Sequence, residues 1–311
     1  MNIPLNRLIR TSGGFQPFLE FTLYSFPPST CSWRVRAALY HHLPMLSRYV
    51  RIGTDHQEEN KMKNNVDSNN YCLELYQKFT SHHLIPIDLF AKENEESSYL
   101  KINPMKQVPA LVVKALDREK VEEKDGIVLT QSLPIVEFLD HLVQVIRSND
   151  QKHSSGSINN KETSQYPLRT YLIPKSDLFI EFKTRQLSEI INAGIQPMQN
   201  VQLLRMLPKE LRGEQNKKWI GEWHRKGLRQ VELILKEQYE SMERMDELVH
   251  SGKTLYSIRE CAHLTMADLC LVPSVEASIQ RSDIHMEEEF PFSFAVYNSL
   301  KNLDVFTHTR N

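Results

Sequence analysis

STCSWRVRAAL, Ser29 to Leu39, follows LEFTLYSF, Leu19 to Phe26, across the pair Pro27-Pro28. The apolar and aromatic content of the first segment suits a strand. The two prolines forbid its continuation, and a helical pattern begins after them. Ser29 or Thr30 serves as N-cap, and Val35, Ala38, Leu39 and Leu43 recur at helical spacing on one face. The unit is strand, turn, helix. At such a helix start the first N–H groups lack helical partners and the macrodipole is positive. A thiolate or carboxylate placed there is favoured by about 0.3–1 kcal/mol, with Ser29 and Thr30 hydroxyls available to add hydrogen bonds.

The text on either side extends this unit. HLIPIDLF (His83 to Phe90), QVPALVV (Gln107 to Val113) and GIVLT (Gly126 to Thr130) read as strands, and Pro134 to Val145 as a helix. An α/β layer results. From about Leu172 the chain turns helical, with long segments at Phe179–Met206 and Lys217–Met245. In the second of these Ile220, Trp223, Gly227, Val231 and Ile234 keep helical spacing. Pro197 is expected to bend the first, and Thr265 with Asp268 spells a capping-box start. Two stretches, Gly53 to Asn70 and Arg147 to Gln165, are polar and poor in aliphatic residues, and read as surface loops or linkers. Tyr71 to Phe79 has the pattern of a short helix. The predicted organisation is an extension over 1–17, an α/β domain over 18–146 with a polar insertion at about 51–82, a linker over 147–170 and an all-helical domain over 171–311.

Composition excludes several function classes. Lys+Arg of 38 against Asp+Glu of 39 gives a net charge of -1 with no long basic run, so neither nucleic acid nor an anionic membrane is an expected partner. Cys31, Cys72, Cys261 and Cys270 form no CxxC pair and no metal spacing, which fits a reducing compartment. No apolar run approaches the ~20 residues of a membrane span, and LTMADLCLVPSV is broken by Asp268 and Pro273. A soluble, cytoplasmic protein is expected. Arg7 and Arg10, with no acid before Glu20, are a faint mitochondrial-leader signal, and a disordered extension is the plainer reading. The pairs His41-His42 and His82-His83 diverge on any regular element, so no metal is expected. Neither a phosphate loop nor a dinucleotide fingerprint is present.

The Ser29–Arg36 octet resembles the signature of zeta-class glutathione transferases, the maleylacetoacetate isomerase family. Four further stretches match in the family's order: YLKINPMKQVPALV (Tyr99 to Val112), LTQSLPIVEFLDHL (Leu129 to Leu142), IQPMQN (Ile195 to Asn200) and LTMADLCLVPSV (Leu264 to Val275). The resemblance implies the glutathione transferase fold, an α/β thioredoxin-like N-terminal domain plus an all-α C-terminal domain. It also implies glutathione as cofactor, a homodimer and cis–trans isomerisation of maleylacetoacetate in tyrosine and phenylalanine breakdown.

Carried over residue by residue, the resemblance assigns the catalytic centre to Ser29, Thr30 and Cys31, where Thr30 replaces the usual serine. It assigns glutathione contacts to these and to Ser32, Trp33, Arg34, Gln107, Val108, Pro109, Gln131, Ser132, Gln196 and Asn200. Val108 before Pro109 is biased to extended geometry and would pair with the cofactor's cysteinyl backbone. Gln131 and Ser132 open a second helix, where hydroxyl and N–H can receive its γ-glutamyl carboxylate. Substrate carboxylate falls to Arg34, Arg205 and Arg281. Arg281 stands one position late against the family's arginine and is followed by Ser282 rather than an aromatic residue. Cys31 also reads as a small buried residue, and Gln196 with Asn200 as a kink and a cap. Two other functions compete: conjugation or dehalogenation of small electrophiles such as α-haloacids, and a glutathione-fold interaction module without turnover.

Overall fold

The computed structural model of the protein describes residues 18–47, 49–52, 68–116, 126–154, 171–175, 177–211 and 213–310. The expected extension, with Arg7 and Arg10, lies outside them, as does most of the two polar stretches. The chain divides into two compact units, one of residues 1–27 and 38–169 and the other of residues 28–37 and 170–311.

The first unit is built on strand β1 (Phe18–Ser25). Helix α1 (Thr30–Leu46) begins after the two prolines, and its residues from Ala38 onward belong here. Strand β4 (Ala110–Leu116) pairs antiparallel along β1, from Phe18 opposite Leu116 to Tyr24 opposite Ala110. Strand β5 (Ile127–Thr130) then pairs antiparallel with β4, and Ala110 faces Thr130. The other edge of β1 carries two short parallel strands end to end. β2 (Val50–Arg51) lies opposite Leu19 and Glu20, and β3 (Leu84–Pro86) opposite Leu23 to Ser25. One strand position is thus filled by two pieces, with the insertion between them.

The short helix expected over Tyr71 to Phe79 is present, and it begins at Ser68, three residues inside the stretch read as a loop through Asn70. Helix α2 (Ser68–His83) buries Tyr71, Cys72, Leu75, Tyr76 and Phe79, an apolar face at helical spacing that outweighs the polar residues around it. Tyr76 meets Tyr40 edge-on at 5.5 Å. The strand read over His83–Phe90 shrinks to three residues. The helix takes His83, and the Asp88 carboxylate accepts from the Phe90 and Ala91 N–H groups, turning the chain out of the sheet. A short helix α3 (Ser97–Leu100) follows. The strand predicted from Gln107 starts instead at Ala110, after Pro109, which has no N–H to offer a ladder. Helix α4 (Ser132–Ser154) tolerates Pro134 in its first turn and runs past the predicted end at Val145 into the expected linker. No glycine or proline interrupts it before Gly156.

The second unit is helical, as its text implied. Helix α5 (Leu178–Gly194) is capped by Asp177, whose carboxylate accepts from Phe179 and Ile180 N–H. A 3₁₀ turn (Gln196–Gln199) containing Pro197 breaks the path before α6 (Val201–Met206). The second long segment also divides, at Glu240 with φ 71°, into α7 (Glu214–Tyr239) and α8 (Met242–His250). Helix α9 (Met266–Arg281) is almost wholly buried and begins with the expected box. Asp268 accepts from Thr265 N–H at 2.7 Å and Thr265 Oγ1 at 2.9 Å, and also from Ser257 N–H at 2.6 Å. Helices α10 (Met286–Glu289), α11 (Pro291–Leu300) and α12 (Asp304–Thr307) follow. Residues 28–37 join this unit through Trp33, Arg34 and Arg36, which bond to Thr309, Asn192 and Thr309.

Close approach explains Gly227 in α7. A Cβ there would stand 2.3 Å from Ile195 Cγ1 and 3.3 Å from the Gly194 carbonyl, at the end of α5. Gly227→Ala is therefore expected to destabilise the helical unit by about 1–3 kcal/mol, despite alanine's better helix propensity. Urea unfolding followed by circular dichroism measures the change.

Candidate functional site

The residues picked out in the sequence fall into two groups, one in each unit. In the first unit, the register of Ala110 against Thr130 sets residues 107–109 and 131–132 side by side at the same end of β4 and β5. The Val108–Pro109 bond is cis. The Gln107 carbonyl accepts from Tyr99 Oη at 2.6 Å and from Asn103 Nδ2 at 2.7 Å, which pins the segment entering Val108. Burial pushes the Tyr99 phenol up, so it stays a protonated donor. Val108 packs with Phe26, Ile87 and Tyr99. Its own N–H and C=O make no hydrogen bond to any described residue. They offer an extended peptide both a donor and an acceptor.

Gln131 sits beside this edge, its Nε2 donating to Gln107 Oε1 at 3.2 Å. Its φ of 69° is left-handed, which costs a side-chain-bearing residue about 1–2 kcal/mol. Such a conformation persists where surrounding structure imposes it, and it is most frequent at working sites. Ser132, 4% exposed, opens α4 directly after it.

In the second unit, Ser29 is the N-cap of α1. Its Oγ accepts from Ser32 N–H at 3.2 Å, and its carbonyl accepts from Trp33 N–H at 2.9 Å. Because the capping bond uses a lone pair, the Ser29 hydroxyl proton is left to be donated. The N–H groups of Thr30 and Cys31 make no hydrogen bond to a described residue. Ser29 and Cys31 are part-exposed while Thr30 and Ser32 are buried. Cys31 is the one cysteine of the four that is not buried. Burial raises the Cys261 thiol to about 11 and also raises that of Cys270, so neither is a nucleophile at neutral pH.

Arginine placement departs from a simple anion clamp. Arg34 is fully buried and donates to Asn192 Oδ1 at 2.8 Å, bracing α1 against α5. Trp33 is 7% exposed and turned toward Thr309 and Phe306. Arg205 stands half-buried in the last turn of α6. Arg281 donates to Gln199 Oε1 at 3.0 Å and to the Pro28 carbonyl at 2.5 Å, beside Ser29. Burial holds its pKa below the usual guanidinium value, and no carboxylate among the described residues neutralises it. A part-buried positive charge without a counter-charge is suited to receive an anion. In IQPMQN, Gln196 opens the 3₁₀ turn and Asn200 caps α6 by accepting from Gln202 N–H at 2.9 Å. The residue that reaches Arg281 is Gln199, which sequence reasoning passed over. Its burial, at 4% exposed, had no signal in the text.

His224 was also missed. It is fully buried on α7 with Nδ1 2.8 Å from Ser278 Oγ. Ser278 Oγ donates to the Ser274 carbonyl, so His224 carries its proton on Nδ1.

Comparison with known proteins agrees with this geometry. Residues 73–142 match the family described as Glutathione S-transferase, N-terminal domain. A probable maleylacetoacetate isomerase 1 of Drosophila melanogaster is 27% identical over 288 residues, covering 92% of this chain and 80% of the relative. Among solved structures, a bacterial zeta-class maleyl pyruvate isomerase in its holo form superposes with a TM-score of 0.55 at 22% identity, over 93% of this chain and 95% of the other. A maleylacetoacetate isomerase from Anaeromyxobacter dehalogenans, with bound dicarboxyethyl glutathione and citrate, gives a TM-score of 0.52 at 22% identity, over 94% and 90%. The chain has the glutathione transferase fold, with a thioredoxin-like first unit and a helical second. Its resemblance to the zeta-class glutathione transferase and maleylacetoacetate isomerase family extends over most of its length.

Burial, aided by the nearby Arg281 charge, pushes His224 down to about 4. It is neutral at pH 7 in the folded state and protonates near its ordinary 6.5 when unfolded. The unfolded state therefore binds more protons between pH 6.5 and 4, and stability should fall across that window as pH falls. His224→Gln should flatten this part of the melting-temperature profile measured by scanning calorimetry.

Proposed function

We propose that the protein is a glutathione-dependent enzyme whose reaction is the cis–trans isomerisation of maleylacetoacetate to fumarylacetoacetate. The observation that carries this reading is the backbone of Val108 before Pro109, a peptide-sized edge whose donor and acceptor bond to no described residue. The match to named maleylacetoacetate isomerases supports the same choice of reaction.

In this reading Val108 pairs with the cysteinyl backbone of glutathione, and Gln107, Gln131 and Ser132 receive its γ-glutamyl end. Ser29 donates a hydrogen bond from its hydroxyl to the sulfur, and the N–H groups of Thr30 and Cys31 add the field of a helix start. Holding a thiol ionised one to two units below its free value near 8.5 takes about 1.4–2.7 kcal/mol. Hydroxyl and helix terminus together can supply that. Glutathione, when bound, would supply a thiolate nucleophile for reversible conjugate addition to the cis alkene, the chemistry by which cis becomes trans. Arg281 holds the substrate's carboxylate, with Arg205 as a further cation and Arg34 as a brace. Gln196 and Asn200 shape the turn that carries Gln199.

The same reading makes the protein a cytoplasmic homodimer serving tyrosine and phenylalanine breakdown. Leu178, Phe179 and Phe182 on α5 are 76%, 75% and 60% exposed, an apolar surface suited to a second copy. No helix among the described residues is long and apolar enough to cross a membrane.

Purified protein should convert maleylacetoacetate only when glutathione is added, with slower or no turnover of chloroacetate under the same conditions. Chloroacetate turnover alone would shift the assignment to haloacid chemistry, and turnover of neither would leave a binding module. Ser29→Ala should lower kcat/KM roughly 10²-fold, while its lost cap costs about 1 kcal/mol of stability. Arg281→Ala should lower kcat/KM for the carboxylate substrate at least about tenfold, with a smaller loss for an uncharged electrophile. Steady-state kinetics on the two substrates separates the effects.

A further inference from the structure

Helix α1 is gripped from the far end of the helical unit. Trp33 Nε1 donates to Thr309 Oγ1 at 2.9 Å, and Arg36 Nε donates to the Thr309 carbonyl at 2.8 Å. Arg36 Nη2 reaches the Arg310 carbonyl at 3.0 Å. Thr309 Oγ1 donates to the Val305 carbonyl at 2.5 Å, which leaves a lone pair for the indole. The Trp33 ring stands edge-on to Phe306, centroids 6.3 Å apart. Arg310 in turn pairs with Glu276 of α9, which also accepts from Tyr297 Oη and from Gln280 Nε2. Thr309 is fully buried, and Trp33 and Arg36 are 7% and 2% exposed.

These bonds hold the two turns of α1 that directly follow Ser29, Thr30 and Cys31. A helix is stiff over two turns, so its rotation at Trp33 and Arg36 sets the direction of the groups one turn earlier. Thr309 gathers three bonds of that grip at one residue. Its hydroxyl is acceptor for Trp33 and donor to Val305, and its carbonyl is acceptor for Arg36.

Resting on the function proposed above, we infer that Thr309 is a positioning residue. Through Trp33 and Arg36 it fixes the start of α1 so that Ser29 Oγ and the open N–H groups stabilise the bound sulfur. The prediction concerns chemistry more than binding, since the peptide-pairing edge at Val108 lies in the other unit.

Thr309→Val keeps the shape and removes the hydroxyl. Its kcat for glutathione-dependent turnover should fall about tenfold, the loss of roughly one hydrogen bond in the transition state. KM for glutathione should stay within about twofold. The acid limb of the pH profile of kcat/KM should move upward, as a less stabilised thiolate requires. Thr309→Ser should restore both. Trp33→Phe, which keeps the ring on Phe306 and loses only the indole N–H, should give the same upward limb if the valine variant does not fold. Variants that melt lower yet keep the wild-type kcat and acid limb would overturn the inference and leave Thr309 a stability residue. Wild-type protein with no glutathione-dependent turnover would instead overturn the functional reading and this inference together.

Discussion

The antiparallel register of β1 on β4, from Phe18 opposite Leu116 to Tyr24 opposite Ala110, is the constraint from which the first unit is laid out. It uses one whole edge of β1, so the other edge must be filled by what remains, and β2 and β3 share it. It also fixes where the segments next to β4 and β5 leave the sheet. β4 can begin only after Pro109, which has no N–H for a ladder, and this leaves Val108 outside the pairing, its backbone bonded to no described residue. β5 follows from the other side of β4 and brings Gln131 to Gln107. One register therefore produces the edge, the strained Gln131 and the start of α4 at a single end of the sheet.

The second group of residues depends on a different kind of constraint. Ser29 is a cap, and the capping bond to Ser32 N–H consumes its acceptor while leaving its donor. Structure and chemistry thus draw on different parts of the same hydroxyl. Arg281 illustrates a similar division. Two of its N–H groups brace the Pro28 carbonyl and Gln199, and the charge itself remains uncompensated among the described residues.

Most of the architecture was legible in the text because it rests on local rules. Pro27-Pro28 ended β1, the Thr265–Asp268 box opened α9, and Pro197 broke the helix after α5. The matched motifs singled out Val108 before Pro109 and Gln131 with Ser132 at a helix start, and the structure adds the cis bond and the Gln131–Gln107 contact. What stayed hidden was decided by distant partners. The two residues of β2 have no strand signal of their own and form because half of one β1 edge is free. Helix α2 was legible over Tyr71 to Phe79, whose buried face keeps helical spacing, and only its ends at Ser68 and His83 were not. Gln199 differs from Gln196 and Asn200 only in what it meets, and the meaning of Trp33 and Arg36 lies in Thr309, more than two hundred residues away.

The central claim is that this chain binds glutathione and holds its sulfur as a thiolate. The ultraviolet thiolate band of glutathione, recorded on the purified protein across a pH series, tests it most directly. The band should persist one to two units below the free thiol value near 8.5 and weaken in Ser29→Ala. Absence of binding, or a band that titrates at the free value, would contradict it.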